Sequence, residues 1–597
     1  MRIAAIVKQI PAFEEMTLGP DGRLQRDGIE LEMNAYCRRA VSQAVELAAA
    51  IGDGTVTVFT LGPPSADDVL REAIAWGLEA AVEIDGVLIT DPAFAGSDTL
   101  ATARALSAAI AREGPFDLIF AGRNSVDADT GQVGPELAEL LDLPFATGVR
   151  HLSMKGKTLH LRCEHDDGWV QLEIDHPLVA SCAERLIDPC KIGPAGRATV
   201  PAERIRRVSA SDLGPGPWGQ AGSPTSVGEV RVHHVERDRH RCTGTVAAQV
   251  SEAVERLLAR DALHRPSEDP MAIERVPEGG GAGLVVGVIV EPDRAHLNRE
   301  LLGAAASIAH ELSGSVTALT LEQARPAVLG SWGADEVVVI EGELVEEDIA
   351  RVVSEWAADA TAWAVLAPST AWGREVAARA AARLGAGLTG DAVDLEVVGQ
   401  RLVTWKPAFG GQLVAAISAS SPVQMATVRA GMLPQLAPRP ATAAVRNLTV
   451  RARGRVHVIA RTRDDDLDAL AEADAVVGVG TGGLTPDDYP RLQPLLRVLG
   501  AELGATRKVT DNGWLPRARQ IGITGRTIAP RLYVALGASG KFNHMVGVRR
   551  AGTVLAVNRD PEALVFDVAD IGIVGDALEV ATLLAVELEQ VQAAIAG

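Results

Sequence analysis

The chain has 597 residues, 47% hydrophobic and 23% charged, the balance of a folded protein long enough for about four domains. With 57 Lys+Arg against 78 Asp+Glu the formal net charge is −21, which argues against nucleic-acid binding and against a polybasic membrane-attracted surface, both of which need clustered cations. The five cysteines (Cys37, Cys163, Cys182, Cys190, Cys242) form no CxxC, so zinc ribbons, thioredoxin chemistry and cysteine-ligated iron–sulfur clusters lose support, and the odd count fits a reducing, cytoplasmic setting.

The N-terminal MRIAAIVKQIPAF is too short an apolar run to insert in a membrane, and it meets Lys8 and Pro11, so it reads as a buried first strand. GTVTVFTL (54–61) is a second strand. A helical stretch ending in Ala75-Trp76-Gly77 and the apolar LEAAVEIDG follow. Next come a helix over 101–112, the strand FDLIFAG (116–122) and a helix within 130–144. The same order returns later: GSVTALTL (314–321), Ser331-Trp332-Gly333, ADEVVVIEG, a helix over 345–357, AWAVLAP (362–368) and a helix over 373–387. Continuous apolar strands alternating with helices indicate parallel sheets covered on both faces. The repeated order predicts two homologous α/β domains. Between them, 208–228 is rich in Gly, Pro and Ser, 245–262 has helical apolar spacing, and 264–282 ends in a glycine run, the pattern of a tether. A proline-rich linker at 433–445 precedes a last α/β segment with VHVIA, AVVGVG, RLYVALG, TVLAVN and IGIVGD as its strands. The expected domains are therefore 1–228, a tether over 229–282, 283–440 and 446–597.

The last segment carries most of the chemical signal. AVVGVGTGG contains Gly478-x-Gly480-x-x-Gly483 after a strand, with Glu502 about 20 residues on. Thr485-Pro486-Asp487-Asp488 reads as a helix start, and its acid would repel a pyrophosphate, which argues against a plain NAD site. Further turns bring Arg507, Gln520, Thr524, Gly525, Ser539, Gly540, His544, Asn558 and Asp576 after apolar strands. In an open parallel sheet such turns form the ligand crevice. Each residue also has a structural alternative: His544 could line a core and Asp576 could cap a helix.

Taken in order, GATRKVTDNGW, RQIGITG, LYVALGASGKFNHMVG and VLAVNRDPEA resemble the FAD domain of the electron transfer flavoprotein α subunit. The preceding LGAGLTGD (384–391), KPAFGGQ (406–412) and PVQMATVRAGM (422–432) resemble the same subunit. MNAYCRRAVSQAVELA, TLGPP, FAGSDTLATA, AGRNSVDADTGQVGP and AERLIDP resemble the β subunit, so the chain looks like a fusion of the two. The resemblance implies two adenine nucleotide α-hydrolase-like domains followed by a Rossmann-like FAD-binding domain, and a role as an electron carrier rather than an enzyme in the ordinary sense.

The resemblance also implies roles. Arg507 would lie near the isoalloxazine as a cation that cannot deprotonate. His544 would face the flavin's C2 carbonyl, Gln520 and Thr524 the ring edge, Ser539 and its loop the pyrophosphate, and Asn558 and Asp576 the adenosine. Four positions depart from the family pattern: Gly482 replaces an arginine, Ile523 a glutamine, and Lys541 and Asn543 stand where small and Gln residues are common. A second nucleotide would be held by Ile6, Asn34, Asp127 and the loop Thr130, Gly131, Gln132, Val133, Gly134. AMP occupies that place in single-FAD relatives, and a second FAD taking hydride from NADH occupies it in bifurcating ones, which FAGSDTLAT and DADTGQVGP resemble more. The loop around Leu186 would dock a flavoprotein dehydrogenase. A quinone-oxidoreductase-like acceptor would take the electrons on.

Overall fold

The computed structural model describes residues 1–11, 30–166, 168–232, 237–263, 274–281, 283–323, 325–408, 413–463, 469–470, 473–522, 525–526 and 528–596. They form two compact units, one of residues 1–232 with 274–462 and one of 233–273 with 463–597.

In the first unit the chain lays down β1 (Arg2–Ile6), β2 (Thr55–Leu61), β3 (Ile84–Ile89), β4 (Leu118–Gly122), β5 (Phe145–Lys155), β6 (Thr158–Glu164), β7 (Gly168–Asp175), β8 (Leu178–Cys182) and β9 (Ile205–Val208). They form one sheet, ordered β9-β3-β2-β1-β4-β8-β5-β6-β7. It is parallel from β9 to β5, then antiparallel through two hairpins. The sequence expresses that change. β8 is buried at every position, whereas the far end of β5 alternates exposed and half-buried residues, the mark of a sheet with one wet face.

The second half repeats the plan with β10 (Thr225–Val232), β11 (Val285–Ile289), β12 (Ser315–Thr320), β13 (Glu336–Glu341), β14 (Ala364–Pro368), β15 (Gly387–Ala392), β16 (Asp394–Val398), β17 (Arg401–Ala408), β18 (Leu413–Ala419), β19 (Gln424–Val428) and β20 (Ala444–Thr449). Its main sheet is ordered β20-β13-β12-β11-β14-β19-β15. Read from the matching edge, this is the first sheet's order strand for strand.

The halves also trade strands. β10, from the stretch expected as a linker, pairs antiparallel with β18 in a sheet ordered β10-β18-β17-β16. β21 (Val456–Arg463), which contains VHVIA and was expected in the last domain, instead extends the first sheet beside β7. β7 would otherwise leave an unpaired edge, and a strand of alternating exposure suits a sheet margin. The LEAAVEIDG strand begins later than expected. The helix Asp67–Glu79 runs on through Gly77, where a Cβ would stand 2.5 Å from Ile84, and the strand starts only at Ile84.

The second unit is a six-stranded sheet. Its members are β22 (Ala475–Val479), β23 (Glu502–Ala505), β24 (Leu532–Leu536), β25 (Thr553–Asn558), β26 (Ile571–Val574) and the short strand His240–Arg241. The order is His240–Arg241, then β26-β25-β24-β22-β23, every neighbour parallel. The helix expected within 245–262 forms as Val246–Ala259. It buries Val250, Ala253, Val254 and Leu257 in the core beneath β26 and the helix Ala577–Ala596. Gln249 clasps β26 through both bonds of its amide, Val574 N to Oε1 at 3.0 Å and Nε2 to Val574 O at 3.3 Å. Arg237 and Arg260 both reach the buried Asp570. What reads as a tether is thus a core element here, because its apolar face finds a partner. Residues 264–273 lie outside the described set.

Candidate functional site

β22 lies one strand in from the edge of the second unit's sheet, with β23 on its outer side and β24 on the other. The direction of growth reverses there. In an open parallel sheet the crevice beyond the strands' carboxyl ends opens at such a reversal. The turns after β22 and β24 meet backbone to backbone: Gly480 N donates to Leu536 O at 2.8 Å and Gly482 N to Gly537 O at 3.0 Å. A Cβ on Gly480 would stand 2.2 Å from Gly537 O, and one on Gly478 only 1.8 Å from the Tyr533 hydroxyl. The glycine fingerprint is therefore required for packing as well as for any ligand. After it, Thr485 and Asp488 form a reciprocal capping box, with Thr485 N to Asp488 Oδ2 at 3.0 Å, so that acid is engaged by the chain's own backbone.

The expected flavin residues sort by strand end. Arg507 opens the short helix Arg507–Asp511 after β23, is exposed and pairs with Asp511 at 3.3 Å. Gln520 is buried, its Oε1 2.7 Å from the Thr510 hydroxyl, and its carbonyl accepts from Arg526 N. Gly525 N donates to Gly522 O; Thr524 lies outside the described residues. Ser539 is exposed between buried Ala538 and Gly540. Gly540 holds φ +77°, and a Cβ there would stand 2.0 Å from Val565 N, so the turn is pinned from behind. Asn558 ties β25 to that turn by donating to Ala538 O at 2.8 Å and accepting from Asp560 N.

Asp576 and His544 hold structural bonds. Asp576 Oδ1 accepts from Leu578 N and Glu579 N, each at 3.0 Å, so it caps the helix Ala577–Ala596. Its pKa is lowered, because the Arg559 guanidinium and these amides outweigh partial burial. His544 is buried, with Nδ1 3.0 Å from Ile521 O and Nε2 2.7 Å from the Tyr533 hydroxyl. A carbonyl can only accept, so Nδ1 carries the proton and Nε2 accepts from the phenol. Burial pushes the imidazole down to about 4. In this structure it is a neutral ring with both nitrogens engaged by the chain.

The cation that Gly482 removes has a neighbour able to replace it. Arg559 lies with its Cζ 3.1 Å from where a Gly483 Cβ would be, held by Asp576. Sequence reading passed over this arginine because it belongs to a different turn. With Arg507 and Arg559, an exposed Ser539 turn and backbone-packed glycines gathered at one sheet edge, the donor set suits an anionic dinucleotide.

In the first unit, β1 is likewise flanked by β2 and β4, and its carboxyl end faces the loop after β4. Ile6 is buried. Asn34, also buried, is the loop's brace: its amide donates to Asn124 O at 2.8 Å and its Oδ1 accepts from Val126 N. Asp127 pairs with Lys8 at 2.8 Å, and that ammonium keeps its carboxyl below the ordinary range despite burial. Gly131 holds φ +66° against Asn124, and half-buried Thr130 precedes it. Gln132 points inward, accepting from Thr99 and donating to Leu388 O. Val133 and Gly134 open the helix Val133–Leu140. A cavity at this loop is lined by Arg123, Asn124, Gly131, Asp166 and Arg374. Four of these five, Arg123, Asn124, Asp166 and Arg374, were not named as site residues from the sequence; only the structure brings 123, 166 and 374 together.

Three motifs converge close by. Asp391 of LGAGLTGD is buried and bound by Arg429 of PVQMATVRAGM and by Arg374 at 3.2 Å, with Lys406 of KPAFGGQ adding to the field. The two guanidiniums hold the Asp391 carboxyl far below its usual range against its burial. The Lys406 ammonium is buried without a hydrogen-bond partner among the described residues, and burial pushes it down to about 8. Leu186, expected to dock a partner, is half-buried against the first half's core, beside exposed Arg185 at φ +64°. No helix of the described residues is long and apolar enough to cross a membrane, and all five cysteines are free thiols.

Doubly wound sheets with glycine turns at each reversal place this chain among nucleotide-binding α/β proteins. Comparison with known proteins narrows that class. Residues 21–210 and 286–452 match the electron transfer flavoprotein domain, and 469–549 match the electron transfer flavoprotein FAD-binding domain. The chain is 36% identical over 275 residues to an electron transfer flavoprotein subunit alpha of Thermoanaerobacterium thermosaccharolyticum, covering 44% of this chain and 83% of the relative. A subunit beta of the same organism is 34% identical over 267 residues, covering 44% of this chain and 100% of the relative. The protein FixB of Clostridium saccharobutylicum is 32% identical over 315 residues, 50% of this chain and 94% of that protein. The chain belongs to the electron transfer flavoprotein family, with beta-like and alpha-like parts in one polypeptide.

Proposed function

We propose that the chain carries electrons from a flavoprotein dehydrogenase to a downstream acceptor of the quinone-oxidoreductase kind, with FAD at the carboxyl edge of the second unit's sheet. When bound there, FAD supplies a ring that accepts and releases electrons singly. The chain's own part is to hold and tune it. Arg507 offers a permanent positive charge at the mouth of β23. The Ser539–Gly540 turn, Asn558 and the Arg559–Asp576 pair hold the diphosphate and adenosine end. Gln520, Gly525 and Thr524 border the ring, and neutral His544 shapes the wall rather than donating to it. The observation that carries this reading is the sheet reversal at β22, where glycine-packed turns and Arg507 lie within the segment matching the family's FAD-binding domain and Arg559 joins them from just beyond it.

The first half's loop takes a second adenine nucleotide in this proposal, through Asp127, Thr130–Gly134 and the dipole of the helix that follows. AMP would serve as a structural ligand. A second FAD would make the chain an NADH oxidant that splits electron pairs. The Leu186 loop receives the dehydrogenase, and the setting is the cytoplasm.

Denaturing the purified full-length protein and separating its nucleotides tests the cofactor assignment. One FAD with one AMP supports the simple carrier, and two FAD support the bifurcating form. A colourless protein without FAD overturns the proposal.

A further inference from the structure

His240, Cys242 and Glu252 bring a ring nitrogen, a thiol sulfur and a carboxylate oxygen within 4.8 Å of one another. His240 Nε2 stands 2.6 Å from Glu252 Oε1, and Glu252 Oε2 accepts from Thr243 N at 3.3 Å. Cys242 is 4% exposed. None of the three lies within the residues that match the family, so nothing in electron transfer by the family domains accounts for them.

The geometry points to a divalent metal site, of the kind zinc takes, formed by His240, Cys242 and Glu252. Imidazole nitrogen, thiolate and carboxylate are the donors zinc prefers. Ligand bonds of roughly 2.0–2.3 Å put tetrahedral donor atoms about 3.5 Å apart. The present separations bracket that spacing, so side-chain shifts of about 1 Å would close the site. A dication with one thiolate, one carboxylate and a neutral imidazole is itself neutral; the Arg256 guanidinium, 3.5 Å from Glu252 Oε1, adds one positive charge beside it and shares that carboxylate. Thr243 N already orients the carboxylate from outside, as an outer-shell donor does. A fourth position remains for water.

The scaffold gives the site a role. Strand His240–Arg241 is the margin of the second unit's sheet, and Cys242 N donates to Gly572 O at 2.9 Å. Glu252 belongs to the helix Val246–Ala259. An ion would join a marginal strand to the helix that covers it, stabilising the segment wherever free metal exceeds its dissociation constant.

The test uses the full-length flavin-loaded protein, dialysed against a chelator and titrated with Co²⁺ alone. The expected result is a difference spectrum with a near-ultraviolet thiolate-to-cobalt band, saturating at one ion per chain and reversed by Zn²⁺. Cys242→Ser should abolish the band while retaining flavin. Glu252→Gln should weaken binding by more than the roughly 10–100-fold that loss of an outer-shell partner costs. Absence of a stoichiometric band, or an unchanged band in Cys242→Ser, overturns the inference and leaves a histidine–carboxylate hydrogen bond that fastens strand to helix.

Discussion

His544 donates through Nδ1 to Ile521 O and accepts through Nε2 from Tyr533, so protonating it breaks the second bond and buries a charge. Its folded pKa of about 4 lies below the unfolded 6.5. A depressed histidine contributes stability that is complete above about 6.5 and is lost as pH falls towards 4, to a total of about 3 kcal/mol. Unfolding midpoints measured across that window should fall more steeply for the wild type than for His544→Gln; parallel curves would show that the ring is not held neutral. Arg507 is the opposite case, an exposed guanidinium paired with Asp511 at the surface. Arg507→Ala should lower the flavin's first reduction potential by the equivalent of roughly 1–3 kcal/mol, the worth of one charge-assisted hydrogen bond, while leaving FAD content nearly intact. A redox titration that superimposes on the wild type's would remove Arg507 from the ring. At this scale the sequence was legible for residue type and often for strand end: Arg507, the Ser539–Gly540 turn, Asn558 and Asp576 come at or just after their strands, whereas Gln520 follows the short helix Arg517–Arg519. It was not legible for orientation. Nothing in the spacing of Asn34 or Gln132 says that their amides brace the loop from inside, and nothing near Gly482 says that Arg559 stands beside the neighbouring glycine.

Elements with strong periodicity were legible without help. Apolar runs such as AWAVLAP and FDLIFAG had to be parallel strands, and the Val246–Ala259 stripe had to be a helix. The hairpins Phe145–Asp175 and Asp394–Ala419 went unread, because half-wet antiparallel strands have weaker patterns than buried parallel ones. VHVIA was read as a strand and given to the wrong sheet, since a strand's sequence does not name its neighbour. The Val246–Ala259 helix makes a clear prediction. Leu257 is fully buried in the second unit's core, so Leu257→Ala should cost about 2–5 kcal/mol, seen as a lower unfolding temperature with flavin lost early. A replaceable connector would show no such change. The Leu186 loop makes another. Docking predicts that Leu186→Ala slows electron transfer from the dehydrogenase while the flavin spectrum and melting temperature hold, since burying one apolar side chain on association is worth roughly 1.5–3 kcal/mol. Its packing against the first core sets the contrary outcome, a lower melting temperature with transfer unaffected in the folded fraction.

The whole molecule is one polypeptide whose two units are each assembled from separated stretches of chain. β10 is sewn to β18 and β21 lies beside β7, while the Val246–Ala259 helix is buried with strands more than two hundred residues later in sequence. Opening the backbone at Gly280, where φ is +97° and no atom would crowd a side chain, should therefore give two fragments that co-elute and retain flavin. Fragments that separate on a sizing column would show that covalent continuity, not strand exchange, holds the units together.

The same exchange sets a timetable for synthesis. β7 leaves the ribosome early, but β21, which covers its edge, follows only after the second half has been made. At roughly 5–20 residues per second the delay is on the order of tens of seconds. Throughout it the nascent chain displays an unsealed strand edge, the kind of surface that pairs with a neighbouring nascent chain on the same messenger. The exposed polar residues Gln171 and Asp175 on β7 make that waiting edge less adhesive, and crowded, rapid expression is the condition in which the protection would be strained.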